Sequence, residues 1–158
     1  IITVLNVIPG STAQSFFAEV SHDEAGLVDH FKKAVKHLFS FLVPAAVIIW
    51  ILGGYVLHFF GKDYAAAGTW PLSILALASL FSAANYLGDT LLNIKKRSGM
   101  YLFMNAFNAL AVVIPAYIVA PHGLVAIAWA CVCGQVVTAV IYLIMNWQLI
   151  IETKKARV

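Results

Sequence analysis

The chain has 158 residues, of which 62% are hydrophobic and only 11% charged, where soluble proteins carry roughly 25% charged residues. Its mean hydropathy is +0.89. Too few polar residues remain to cover a water-facing surface, which excludes a soluble globular enzyme, a disordered segment and a disulfide scaffold and leaves an all-α membrane protein. The net charge of +3 does not point to nucleic acid as a partner, because the ten Lys and Arg residues lie in short clusters between apolar runs, which is the pattern of membrane topology.

The chain opens Ile1-Ile2-Thr3-Val4-Leu5, with neither Met nor a basic stretch ahead of it. No signal peptide is legible there, and the sequence reads as part of a longer polypeptide. Residues 1–19 read as the end of a truncated transmembrane helix, too short and too interrupted to cross alone. Residues 20–37 read as an amphipathic linker helix on the cytoplasmic membrane surface. Ser21-His22-Asp23-Glu24 has the spacing of a capping box, and Leu27, Phe31, Val35 and Leu38 recur at helical intervals opposite Lys32, Lys33 and Lys36.

Four uninterrupted apolar stretches follow at 38–60, 72–92, 100–120 and 123–147. Each reaches the roughly 20 residues that span a bilayer as a helix. They predict a four-helix transmembrane bundle over 38–147 with a basic cytoplasmic tail at 148–158. Gly61-Lys62-Asp63 punctuates the first stretch, Pro71 suits the first turn of the second, and Pro121-His122-Gly123 breaks the chain between the third and fourth.

Orientation follows from the basic residues. Nine of the ten lie before the first span, between the second and third, or after the fourth, and Lys62 alone lies on the other side. The positive-inside rule therefore predicts a multi-pass protein of the inner (plasma) membrane with a cytoplasmic C-terminus.

Each span carries one stripe more polar than lipid selects. The first has Ser40, Pro44, Ile51, Tyr55 and His58; the second, Ser82, Asn85, Asp89 and Asn93. The third has Tyr101, Asn105, Asn108 and Pro115; the fourth, Cys131, Gln135, Thr138 and Tyr142. The intervals combine threes and fours, so each stripe is one helical face. An amide in hydrocarbon lacks partners, and these faces are expected to turn toward neighbouring helices or a wet cavity.

Asn85, Asp89, Asn105, Asn108, Gln135 and Tyr55 are the candidates for lining a substrate pathway, with interhelical hydrogen bonding as the structural alternative. Asp89 is the one charged residue inside a span. It lies about 9 Å along the helix axis from Lys95, and is expected to reach the interface and pair with Lys95, Lys96 and Arg97. Small residues at Ala84 and Gly88, and at Ala126, Ala130 and Gly134, are spaced for close helix approach.

Cys131 and Cys133 lie about 200° apart on a helix, which suits neither a shared metal nor a disulfide. The sequence contains no His-Glu-x-x-His, no Gly-rich phosphate loop, no Gly-x-Ser-x-Gly and no carboxylate pair within one span. Neither an enzyme nor a cofactor is expected.

Several strings resemble a known family. Val7-Ile8-Pro9-Gly10-Ser11 is followed by a basic linker and by a helix with an early proline, Phe41-Leu42-Val43-Pro44. Phe60-Gly61-Lys62-Asp63-Tyr64 continues into Ala65-Ala66-Ala67. The run from Leu75 to Asn85 precedes the basic loop Lys95-Lys96-Arg97, and Gly123-Leu124-Val125-Ala126-Ile127-Ala128-Trp129-Ala130 follows a short turn. Together they resemble the second half of the polysaccharide and oligosaccharide-lipid flippases of the multidrug/oligosaccharidyl-lipid/polysaccharide exporter superfamily, with Ala126 where a second glycine is usual.

The resemblance implies part of one lobe of a two-lobe transporter working by alternating access. Its partners would be membrane lipid, a lipid-linked oligosaccharide substrate and an N-terminal lobe of the same polypeptide. Two alternatives are a multidrug and toxin extrusion cation antiporter of the same superfamily, and a stand-alone four-helix membrane anchoring or assembly subunit.

Overall fold

A computed structural model describes residues 2–22 and 26–155 of the chain, with side chains over 7–20 and 26–145. Five helices run in sequence: α1 (Ile2–His22), α2 (Leu27–His58), α3 (Lys62–Ile94), α4 (Ser98–Val119) and α5 (Leu124–Lys155). Four of them, α2 to α5, are long and apolar enough to cross a membrane. Ser21 and His22 of the capping-box string end α1, whereas Asp23 and Glu24 and the last residues of the basic tail, 156–158, lie outside the described residues.

Two boundaries differ from the sequence reading. The amphipathic segment and the first span are one uninterrupted helix, α2, of 32 residues. The reason is a single buried stripe, Leu27, Ala34, Leu38, Leu42, Ala46 and Gly53, that runs through both parts. Backbone hydrogen bonding continues where hydropathy changes, and Pro44 lies within the helix without ending it. The second span begins earlier than expected, because α3 starts at Lys62 and contains Pro71 in its interior. Asp63 suits the positive end of the helix dipole, and Ala65-Ala66-Ala67 are the best helix formers. Pro71 cannot donate to the Ala67 carbonyl one turn back, while on either side of it the hydroxyl of Thr69 donates to the Ala65 carbonyl at 2.6 Å and that of Ser73 to the Thr69 carbonyl at 3.0 Å.

The connections are short. Phe59-Phe60-Gly61 joins α2 to α3, with Gly61 at φ 125°, a conformation that a side chain would strain. Between α3 and α4, the Lys96 N–H donates to the Asn93 carbonyl at 3.0 Å and the Arg97 N–H to the Leu92 carbonyl at 2.9 Å. With Lys96 at φ 55° this is a Schellman cap built on a lysine where glycine is usual. A 3₁₀ turn, Ala120–His122, and Gly123 at φ 96° link α4 to α5.

Helix α3 is central, packed against α2, α5 and α1, while α4 leans mainly on α5. The larger core joins Leu38 and Leu42 of α2 with Leu87, Leu91 and Leu92 of α3, and takes in Phe16, Met104 and Tyr142 from the other helices. A smaller one pairs Ile74 and Ala78 with Ala128 and Val132. Outward faces are strongly apolar: Phe41, Trp50, Leu102, Phe103, Ile118 and Leu143 are all more than half exposed. Such a surface is stable only against lipid or another apolar partner.

Candidate functional site: a polar cluster shared by three helices

Glycine sets the geometry. Gly88 of α3 lies against the ring of Tyr142 on α5, so closely that a Cβ there would overlap the ring. Gly134 of α5 meets the Ala111 carbonyl of α4, where a Cβ would lie 2.5 Å from the oxygen. These approaches, at two of the positions spaced for small residues, bring the polar stripes of α3, α4 and α5 together.

Asp89, one residue after Gly88, accepts hydrogen bonds from the Tyr142 hydroxyl and from Asn105 Nδ2, the latter at 3.0 Å, both on Oδ1. Asn105 Nδ2 also donates to the Tyr101 carbonyl at 3.0 Å. One turn along α3, Asn85 Nδ2 donates to Gln135 Oε1 at 2.6 Å. Asn108, one turn beyond Asn105 in α4, lies at the level of Asn85, since antiparallel helices matched at Asp89 and Asn105 also match there. The cluster begins about 8 Å along the axis from the end of α3.

Two acceptors are left open. Asn85, which is 5% exposed, and Asn108 each hold a buried side-chain carbonyl oxygen with no hydrogen-bond partner among the described residues. Asp89 Oδ2 is likewise available, because both described donors fall on Oδ1. A buried acceptor without a donor costs about 1–3 kcal/mol. The Asn85 and Asn108 oxygens thus keep acceptor capacity that is shielded from the surface by the surrounding helices.

The structure gathers five of the six candidates, Asn85, Asp89, Asn105, Asn108 and Gln135. The sixth, Tyr55, lies apart from them, 73% exposed on the outward face of α2. Ser40, Pro44 and Ile51 share that exposed face. The side of α2 that packs is the one with small residues: Gly53 lies against Leu72 and Gly54 against Thr69 of α3. Asp89 makes no ion pair with Lys95 or Lys96 among the described residues. Its partner is Tyr142, which the stripe on the fourth span contained but which was not among the candidates. Its spacing of seven from Gln135 put it on the same face.

Apart from the cluster, on the α2–α3 side of the bundle, Trp50, Trp70 and Trp129 line an apolar groove of about 380 Å³ with Val43, Val47 and Leu77. No family model, curated protein or solved structure matches the chain.

Proposed function

We propose that this chain forms part of one lobe of a transporter that flips lipid-linked oligosaccharide or polysaccharide precursors across the cytoplasmic membrane by alternating access. The observation that carries the reading is the intramembrane cluster. Asn85, Asn108 and Asp89 hold acceptors with capacity to spare, which the parting of helices in alternating access would open to a sugar head group, a dense array of hydroxyl donors. Asn105, Gln135 and Tyr142 hold those acceptors in place. The apolar groove lined by the three tryptophans gives a lipid tail a wall of matching chemistry, so head group and tail have separate surroundings. The resemblance of the loop and helix strings to the flippase superfamily supports the same assignment, and the basic clusters support a cytoplasmic C-terminus.

Binding tests it. The purified chain in nanodiscs is titrated with a fluorescent lipid-linked oligosaccharide and with the same lipid lacking its sugar. The expected result is preference for the sugar-bearing lipid, reduced by Asn85→Leu and by Asn108→Leu. Equal affinity for the two lipids would overturn the reading. An antiporter of the same superfamily would instead use Asp89 for a coupling cation. In the transporting polypeptide, Asp89→Asn would then abolish gradient-driven flux while leaving substrate binding intact.

A further inference from the structure

A second polar feature lies away from the cluster, between α1 and α2. The Glu19 Oε2 and His30 Nδ1 atoms are 2.9 Å apart, and the rings of Phe16 and Phe31 meet edge to face at 5.7 Å. These two contacts set an antiparallel register in which Ser15 faces Lys33 and Ser11 faces His37. Both rows step by one helical turn, Ser11, Ser15 and Glu19 on α1, Lys33 and His37 on α2. They wall a groove of about 310 Å³ floored by Thr12, Phe16 and Ala34.

Thr12 is satisfied by the Ile8 carbonyl at 2.9 Å, and Glu19 is engaged by His30 at the end nearest the α1–α2 turn. Asp29, one turn before Lys33, is exposed and is not a groove wall. Lys33 makes no ion pair among the described residues. The groove thus presents a cation, an imidazole and two hydroxyls, with its one carboxylate, Glu19, hydrogen-bonded to His30 at the far end.

Depth decides what can reach it. The uncharged run of α2 starts at Leu38, so Lys33 lies about 8 Å outside the hydrocarbon edge. Each headgroup layer is about 5–8 Å thick. His37 stands at the edge itself, its ring 4.9 Å from that of Phe41, which is 57% exposed. An ammonium at phosphate depth above an aromatic at acyl depth matches the two ends of one lipid.

We infer that the α1–α2 groove is a binding site for the phosphate headgroup of an anionic bilayer lipid. Lys33 Nζ and the His37 ring donate to phosphate oxygens, and the Ser11 and Ser15 hydroxyls complete the set. The inference is independent of the transport reading, since it uses none of the cluster residues.

Native mass spectrometry of the purified chain, titrated separately with phosphatidylglycerol and phosphatidylcholine, tests it. Phosphatidylglycerol is expected to be retained in preference. Lys33→Gln is expected to weaken that retention about tenfold or more, as for loss of a hydrogen bond from a charged donor, and Lys33→Arg to preserve it. Lys32→Gln removes the same charge outside the groove and is expected to cost no more than about fivefold, the diffuse attraction of one surface lysine. Equal effects of the two Gln variants, or equal retention of the two lipids, would overturn the site. Displacement of phosphatidylglycerol by millimolar inorganic phosphate would also overturn it, by making this a soluble-anion site.

Discussion

Gly134 and Gly99 both sit in helices, yet their surroundings differ completely. A Cβ at Gly134 meets the backbone of Ala111, which cannot rotate aside, while a Cβ at Gly99 meets nothing within 4 Å. Gly134→Ala is therefore expected to destabilise by about 1–3 kcal/mol through separation of α4 from α5. Gly99→Ala should be neutral or gain up to about 1 kcal/mol from helix propensity. Unfolding in mixed micelles measures both, and equal effects would mean that α4 and α5 do not touch at this level. Tyr142→Phe removes the hydroxyl that Asp89 accepts and should cost about 1–2 kcal/mol in the same assay. Lys96→Gly relieves the left-handed backbone of the α3 cap and should stabilise by about 1 kcal/mol. At this scale the contact of Asn85 with Gln135 was legible, because an amide in an apolar run finds its partner mainly on a neighbouring helix, while Asn105 reaches Asp89 from an exposed position. Tyr55 stands apart from the cluster because packing follows the small face of α2, where Gly53 admits Leu72, and not the polar one. The partner of Asp89 was hidden because Lys95 is its neighbour in sequence whereas Tyr142, a neutral residue 53 positions away, becomes adjacent only through helix packing.

Among the elements, the spans were readable from hydropathy and the turns from glycine and proline, whereas the helix ends were not. Hydropathy reports solvent, and the backbone of α2 continues through the change of solvent at Leu38 because the buried stripe from Leu27 to Gly53 continues. That stripe was available in the sequence as intervals of four and seven. Continuity has a measurable consequence. Amide exchange in detergent micelles should find Lys36 to Ser40 as protected as the flanking turns of α2. Fast exchange confined to that stretch would mean two helices with a joint. The early start of α3 was obscured because Lys62 and Asp63 resemble a loop by charge, although Asp63 just ahead of three alanines suits a helix N-terminus.

For the molecule as a whole, the basic clusters make a prediction about sidedness. If the positive-inside distribution governs insertion, Lys62→Cys should react with a membrane-impermeant maleimide in intact cells and Lys95→Cys only after permeabilisation. The reverse pattern would invert the proposed topology without changing the bundle. The extended apolar faces of α2, α4 and α5 also imply that removing detergent from the purified chain drives it out of solution.

The pairing of α3 with α5 across the intervening α4 has a consequence in time. Asn85 and Asp89 bond to residues 50 and 53 positions later in the chain. At about 5–20 residues per second, a ribosome needs several seconds to deliver those partners. Through that interval α3 carries an amide and a carboxylate with no finished bundle around them. Asn105 follows Asp89 by only 16 positions, so it is the first bonding partner of the carboxylate to be made. The exposed asparagine of α4 thereby acts as an early escort, holding Asp89 until Tyr142 emerges and closes the cluster.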